Sequence, residues 1–439
     1  MNSSPSSYKH FDLNIDDHSI AWLTIDVAGR SVNVLAQEVM EELGAVVRAA
    51  AAASPKGFVF KSGKPRGFIF GADVNEFAGF KTRADIESHI HDVLATFRMI
   101  EEMPCPTVIL VDGICVGGGF EPALAFGRIV GGGDGAWQLG VPEINLGLLP
   151  GYGGSARAAE RMGPEAAMRL VLHGRPMKAR DALAAAAMDY LVGGRDELED
   201  AARAAIRGEV AKAVPPTTGD LAAAIEAERG ALLARTSPEN MPAPFAILDH
   251  YSLNDISKNS LLNNETQLFS YLMLTPASAG MRRNFQLTDA VKRAGRGDAT
   301  ISHVHVIGAG TMGGDIAAVA AMTGYRVTLQ DISADAIEAA IVRAGTLYER
   351  RLKDPKKVEA AMARLTADPG GDGLATADLL IEAVAENLEI KQAVFADAEK
   401  RMKPDAILAT NTSAIPLEEI GAALAAPDRL IGMHFFNPV

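Results

Sequence analysis

Two glutamates and two glycine-rich turns are the residues here most able to do chemistry. Pro106 to Gly119 reads as a strand, a turn and then Gly117-Gly118-Gly119, after which Phe120 and Glu121 open a helix. Glycines at a helix start let the backbone approach a ligand closely and leave N–H groups pointing at it. Upstream, Phe68 to Phe77 reads as another strand end turning into a helix, with Gly71-Ala72-Asp73 at the turn. One amide from each turn, Ala72 and Gly118, would make a two-donor oxyanion hole for charge developing on a thioester oxygen. One such donor is typically worth ~3–4 kcal/mol of barrier. Downstream, Glu143 follows Val141-Pro142 on a loop after a strand, ahead of Leu149-Pro150-Gly151-Tyr152-Gly153-Gly154. Glu121 and Glu143 together would hold one water between two carboxyl groups. Adding water across an activated double bond needs a base for the water and an acid for the α-carbon, and two carboxyls in different protonation states supply both.

A second constellation begins at His303. The run His303 to Gly313 places Gly308, Gly310 and Gly313 in a G-x-G-x-x-G pattern directly after a strand, and a small-residue helix follows from Gly314 to Thr323. The glycines, with Met312 among them, permit a tight turn, approach of a pyrophosphate and close helix–strand packing. The next strand, Arg326 to Gln330, ends at Asp331, about 18 residues past Gly313 and near the ~20 expected for an acid that binds the adenosine ribose. A carboxylate there repels a 2′-phosphate and favours NAD over NADP.

These groups need a scaffold. At 439 residues the chain is too long for one ordinary core. Ile20 to Asp26, Gly57 to Lys61 and Thr107 to Asp112 read as strands, and Ala36 to Ala53 as an amphipathic helix. Met162 to Leu191 is Ala-rich and helical, broken by Gly174 and Pro176. A proline-punctuated stretch follows, and the strand pattern restarts at Ile301. The expected organisation is a first domain over 8–191, a helical connector over 192–300 and a dinucleotide-binding domain over 301–439. The net charge of −13 argues against a general nucleic-acid binder. Cys105 and Cys115 lie in apolar sequence and read as reduced buried thiols. No stretch approaches a membrane span and the start has no signal-peptide pattern, so a cytoplasmic protein is expected, with no metal site.

Residues 10 to 190 resemble the crotonase (enoyl-CoA hydratase/isomerase) family. The likeness rests on the Gly-Ala-Asp turn, the Gly-Gly-Gly-Phe-Glu helix start and the loop from Pro142 to Gly154. It implies a crotonase-like ββα-superhelix, oxyanion amides at Ala72 and Gly118, and an acid/base pair of Glu121 and Glu143. Both glutamates are present, which favours hydration, and the same pair implies a Δ3–Δ2 isomerase side activity. Lys61, Lys64 and Arg66 precede the Ala72 turn and read either as contacts for CoA phosphates or as ordinary surface charges.

The segments Asp378 to Lys391, Ala406 to Ser413 and Gly432 to Val439 resemble the 3-hydroxyacyl-CoA dehydrogenase family. The resemblance implies a Rossmann NAD-binding domain in which His434 is the general base for a 3-hydroxyl. Ser413 and Asn437 would lie near substrate and nicotinamide. Glu386 and Lys391, with the backbone of Val384 and Ala385, would lie on the cofactor side. The family's carboxylate that orients this histidine falls about a dozen residues later, beyond Val439. The sequence reading therefore expects a Rossmann domain incomplete at its C-terminal end and a weak or inactive dehydrogenase site.

The domain order resembles the alpha subunits of bacterial fatty-acid oxidation complexes. It implies hydration of a trans-2-enoyl-CoA, NAD-dependent oxidation of the 3-hydroxyacyl-CoA product, and a 3-ketoacyl-CoA thiolase as partner. Two other readings share these residues: a hydratase with a non-catalytic NAD-binding remnant, and a non-catalytic scaffold that binds acyl-CoA and NAD for a thiolase.

Overall fold

The computed structural model describes residues 8–65, 67–132, 137–216, 219–294 and 300–436. Two compact units divide the chain, Met1–Gly295 and Arg296–Val439. The first carries β1 (Phe11–Ile15), β2 (Ile20–Ile25), β3 (Gly57–Ser62), β4 (Thr107–Val111), β5 (Ile114–Val116), β6 (Arg128–Gly132), β7 (Gln138–Gly140) and β8 (Tyr190–Val192). Its main sheet runs β1-β2-β3-β4-β6-β8, and β5 pairs with β7 in a second, two-stranded sheet. Among the described strand pairs of this unit, β1–β2 alone is antiparallel. Strand β4, Thr-Val-Ile-Leu-Val, is buried along its whole length. A parallel strand covered on both faces reads as such an unbroken apolar run rather than as alternation.

The helix Gln37–Ala52 buries Val39, Met40, Leu43, Val46, Val47 and Ala50. That is the three-and-four spacing of one apolar stripe against a sheet. A capping box starts the helix Arg83–Glu101: Asp85 N–H donates to Thr82 Oγ1 at 3.2 Å, and Thr82 N–H donates to the Asp85 carboxylate at 2.9 Å. The stretch read above as a connector forms the helices Leu198–Ile206, Leu221–Leu233, Pro242–Tyr251, Lys258–Met273 and Pro276–Ala294. It is not a free linker in packing terms. Ile247, Leu248, Leu261, Phe269 and Leu272 share one core with Leu23, Phe60, Ile109 and Phe120.

The second unit carries β9 (His303–Ile307), β10 (Arg326–Gln330), β11 (Leu365–Ala367), β12 (Leu379–Glu382), β13 (Ile407–Thr410) and β14 (Leu430–Gly432). All are parallel, in the order β11-β10-β9-β12-β13-β14. This is the 3-2-1-4-5-6 order of a doubly wound dinucleotide-binding sheet. No helix among the described residues is long and apolar enough to cross a membrane.

Candidate active site

The two turns of the first unit are brought together by short backbone pairings. Ile69 bridges Cys115, and Val116 N–H donates to Ile69 O at 3.1 Å. Leu35 bridges Ala72 in parallel fashion: Leu35 N–H donates to Gly71 O at 2.9 Å and Asp73 N–H donates to Leu35 O at 3.0 Å. In that pattern the intervening residue, Ala72, turns its own N–H to the opposite side. Across from it, Gly118 sits in the 3₁₀ turn Gly117–Gly119 that leads into the single helical turn Phe120–Ala123. Early N–H groups of such a turn have no partner within it. A Cβ placed on Gly118 would lie 3.1 Å from the Ala72 nitrogen, so the two amides border one narrow slot. Gly117 has a φ of +54°, and a Cβ there would approach Glu143 Oε1 to 2.8 Å. Only glycine combines that left-handed backbone with room for the carboxyl.

Glu121 and Glu143 line the same cavity of about 280 Å³, together with Ala72 and Gly118. Glu121 is almost fully buried, and its Oε1 accepts N–H bonds from Tyr152 at 2.7 Å and Gly154 at 3.0 Å. Glu143 opens a 3₁₀ turn after β7. Its Oε2 is buried without a hydrogen-bond partner among the described residues. Burial pushes the Glu121 carboxyl well above the ordinary carboxylate range, and the charges of Glu143 and Glu265 push the same way. Burial also raises Glu143, with the Glu265 charge adding to it. Two like charges this close discourage simultaneous ionisation, so the pair titrates as a unit. The two amides that Glu121 accepts favour its anion and so oppose the effect of burial, whereas the unpartnered buried oxygen of Glu143 favours the neutral acid.

Most of the rest of the wall is apolar, with Val74, Phe77, Leu146, Leu148 and two residues from the distal helices, Phe269 and Phe285, beside Asn145 and Tyr152. Those helices also send Glu265 to the back of the site, where it accepts N–H bonds from Gly153 at 2.5 Å and Ser155 at 2.9 Å. Sequence reasoning missed all three residues. A signal for Glu265 was present: it falls four residues from both Leu261 and Phe269 on one helical face, where a charge requires a buried partner. The lysines ahead of the Ala72 turn are occupied within the protein. Lys61 pairs with Glu199 at 2.5 Å and lies over the Trp22 ring at 5.4 Å. Lys64 pairs with Asp26 and donates to Val27 O and Arg30 O. Arg66 lies outside the described residues. Cys105 and Cys115 are free thiols, and Cys115 is buried.

In the second unit Gly308, Asp331, Val384, Ser413 and His434 each follow the C-terminal end of a strand, where doubly wound sheets bind ligands. A cavity of about 610 Å³ is lined by Gly308, Gly310, Asp331, Val384 and Ala385, with Ile332 beside them. A Cβ on Gly310 would meet nothing within 4 Å, while one on Gly313 would lie 1.8 Å from Gly308 O. The first glycine leaves room for a phosphate group and the last lets the helix Thr311–Met322 pack tightly on the turn. Asp331 accepts N–H bonds from Ala309 at 2.6 Å and Ser333 at 2.9 Å, which fixes its carboxylate at the cavity rim. These residues fit a dinucleotide.

The remaining predicted residues do not line this cavity. Met312 is half-buried. Lys391 is buried in ion pairs with Glu382 at 2.7 Å and Glu386 at 3.3 Å. Glu386 also accepts from Thr412 Oγ1. Ser413 is exposed, and the His434 ring packs edge-on to Phe436 at 4.7 Å. Asn437 lies outside the described residues.

Comparison with known proteins bears on both units. The enoyl-CoA hydratase/isomerase family matches residues 17–237, and the NAD binding domain of 3-hydroxyacyl-CoA dehydrogenase matches residues 303–439. The chain is similar to fatty acid oxidation complex subunit alpha of Idiomarina loihiensis, at 33% identity over 99% of this chain and 64% of that protein. The subunit of the same name from Aliivibrio fischeri is 33% identical over 97% of this chain and 64% of its own length. This chain thus spans about 64% of the length of these curated relatives. Among solved structures, a carnitinyl-CoA dehydratase from Mycobacterium thermoresistibile shares the fold, with a TM-score of 0.51 at 20% identity, covering 64% of this chain and 90% of that one.

Proposed function

The chain belongs to the enoyl-CoA hydratase/isomerase family and carries an NAD-binding domain of 3-hydroxyacyl-CoA dehydrogenase behind that unit, and from this premise we propose that it hydrates trans-2-enoyl-CoA thioesters in fatty-acid β-oxidation. The observation that carries the reading is one cavity bordered by two carboxyls and two turn amides. The Ala72 and Gly118 amides would hold the thioester oxygen as charge gathers on it. Ionised Glu121 takes a proton from water as the water oxygen bonds to C3, and neutral Glu143 gives its proton to C2. Both carboxyls border one slot, which supports syn addition, and the swapped protons return by exchange with solvent or product. Steady-state hydration of crotonyl-CoA, followed as loss of conjugated-enoyl absorbance, tests this. Turnover without NAD is expected, and no turnover by the folded protein would overturn the reading.

The rate should depend on pH as a bell. The acid limb reports Glu121 gaining a proton and the alkaline limb reports Glu143 losing one. Burial lifts both, so the acid limb of kcat/KM is expected above ~4.3, the ordinary glutamate value. A limb at or below that value would contradict a buried pair.

For the second unit we propose oxidation of the 3-hydroxyacyl-CoA product, with NAD as the group that accepts the hydride from C3. His434 would take the hydroxyl proton, and Ser413 and Asn437 would lie beside the reacting atoms. Asp331 would bind the adenosine ribose, and Val384, Ala385, Glu386 and Lys391 would border the nicotinamide half. Asp331→Ser is expected to weaken NADH binding about 10–100-fold and to narrow the preference over NADPH, read by NADH fluorescence titration. Unchanged affinity would remove Asp331 from the site. The relatives' name includes the word complex, and a 3-ketoacyl-CoA product is a thiolase substrate, which together support a thiolase partner. The same glutamate pair supports a Δ3–Δ2 isomerase side activity.

A further inference from the structure

The turn Tyr152 to Ala156 carries two carboxylates, one on each side. Glu121 takes the N–H groups of Tyr152 and Gly154. Glu265, from the helix Lys258–Met273, takes those of Gly153 and Ser155, with a longer contact from Ala156 at 3.4 Å. Alternate amides thus face opposite ways, and each carboxylate occupies the set that the other does not. Glu265 is 1% exposed, so its own geometry is fixed by packing. Behind it, Ser155 Oγ donates to Glu265 and lies 2.9 Å from His250 Nε2, while His250 Nδ1 meets Asn264 Oδ1 at 2.7 Å. Tyr251 Oη donates to Ser155 O at 3.0 Å. Arg157 Nη1 donates to Tyr152 O at 2.8 Å and its Nε to Glu101 at 2.9 Å.

We propose that Glu265 is a positioning residue of the hydration site: it clamps the turn from the far side and so directs the Tyr152 and Gly154 amides at Glu121. This rests on the reading of Glu121 as the base. Without the clamp, the peptides at Gly153 and Ser155 would keep two buried donors unpaired, and the turn would rotate to recover them. The Glu121 carboxylate would move with it. Misplacement of a catalytic group by about 1 Å costs on the order of 100-fold in rate.

A second consequence is electrostatic. Among the described residues the ionisable groups around Glu121 include Glu143 across the cavity, Tyr152 on its wall with His89 and Glu76 beyond it, Glu265, Arg157 and Glu101 behind the turn with Lys258 on Glu101, and His250 and Tyr251 behind Ser155. Burial holds His250 neutral down to about 4, so it adds no charge near neutrality. Burial raises the Glu265 carboxyl itself to about 7, so above that pH it is a like charge held beside the base, and its field there makes Glu121 a stronger one.

Three variants of the full chain separate these effects. Glu265→Gln keeps the volume but removes the charge and presents an amino group to donors. It is expected to lower kcat for crotonyl-CoA about 10–100-fold with KM changed less than about twofold. Its acid limb should move to lower pH, the direction that removing a like charge gives and that loss of packing alone would not cause. Glu265→Asp keeps the charge but falls a methylene short of the amides. It should lose kcat with its acid limb in place, and it carries the test if Glu265→Gln does not fold. Glu121→Gln is the control for the parent reading. If both Glu265 variants keep wild-type kcat and pH profile while Glu121→Gln is inactive, Glu265 has no positioning role and the hydratase reading stands. If wild-type protein does not hydrate, the parent reading fails first.

Discussion

Glu121→Gln and Glu143→Gln are each expected to lower kcat for enoyl-CoA hydration by about 10²–10⁴-fold, the usual range for one acid or base group. Neither should unfold the protein. In Glu121→Gln the side-chain amide oxygen can still accept from Tyr152 and Gly154, whose bonds now end on Glu121 Oε1. At Glu143 the buried Oε2 has no hydrogen bond to lose. Replacing the ionised Glu121 by a neutral amide removes the cost of a buried charge, and at neutral Glu143 no charge is lost, so thermal midpoints should stay level or rise. KM should change little, because the apolar wall that holds the acyl group is intact. The two losses should also fail to multiply in the double variant, since both groups serve one proton relay. A variant with near-normal kcat would remove that glutamate from the chemistry.

The oxyanion slot gives the second large effect. Gly118→Ala would place a methyl carbon 3.1 Å from the Ala72 nitrogen and 3.5 Å from the Tyr152 ring, between the two donors. The Gly118 φ is not left-handed, so the backbone accepts alanine and the fold should persist. The loss expected is about 10²–10³-fold in kcat, comparable with removal of one oxyanion donor. Gly79→Ala is the matched control, because a Cβ there meets nothing within 4 Å. Equal activity of the two variants would place the thioester oxygen elsewhere.

Much of this site was legible in the sequence because it is built from backbone and from local spacing. Gly117 to Glu121 encodes a turn whose amides and following carboxylate are fixed within five residues. Gly308 to Asp331 likewise encodes a strand–turn–helix–strand unit whose spacing implies the position of the acid. Sequence reasoning could bring together what the chain connects closely. It missed Phe269 and Phe285, which reach the cavity from helices more than a hundred residues after Glu121, and it missed the use of Glu265, which meets the back of the Tyr152 turn from equally far along the chain. Proline punctuation at Pro215, Pro216, Pro238, Pro242 and Pro244 made that stretch look like a connector, whereas its apolar faces join the first unit's core. The lysines before Ala72 show the converse. Their placement left CoA-phosphate contact and ordinary surface charge both open, and it could not show that Asp26 and Glu199, remote or unremarkable in sequence, engage them.

Isotope placement offers the most direct test. Wild-type protein is supplied with crotonyl-CoA, without NAD, in water enriched in heavy oxygen and deuterium. Mass spectrometry and NMR should find one solvent oxygen at C3 and one deuterium at C2 on a single face, and neither label should enter at a comparable rate with the Glu121→Gln, Glu143→Gln double variant. Labelled product formed equally well by that double variant, or no label from the folded wild-type chain, would show that these two carboxyls do not add water to the substrate.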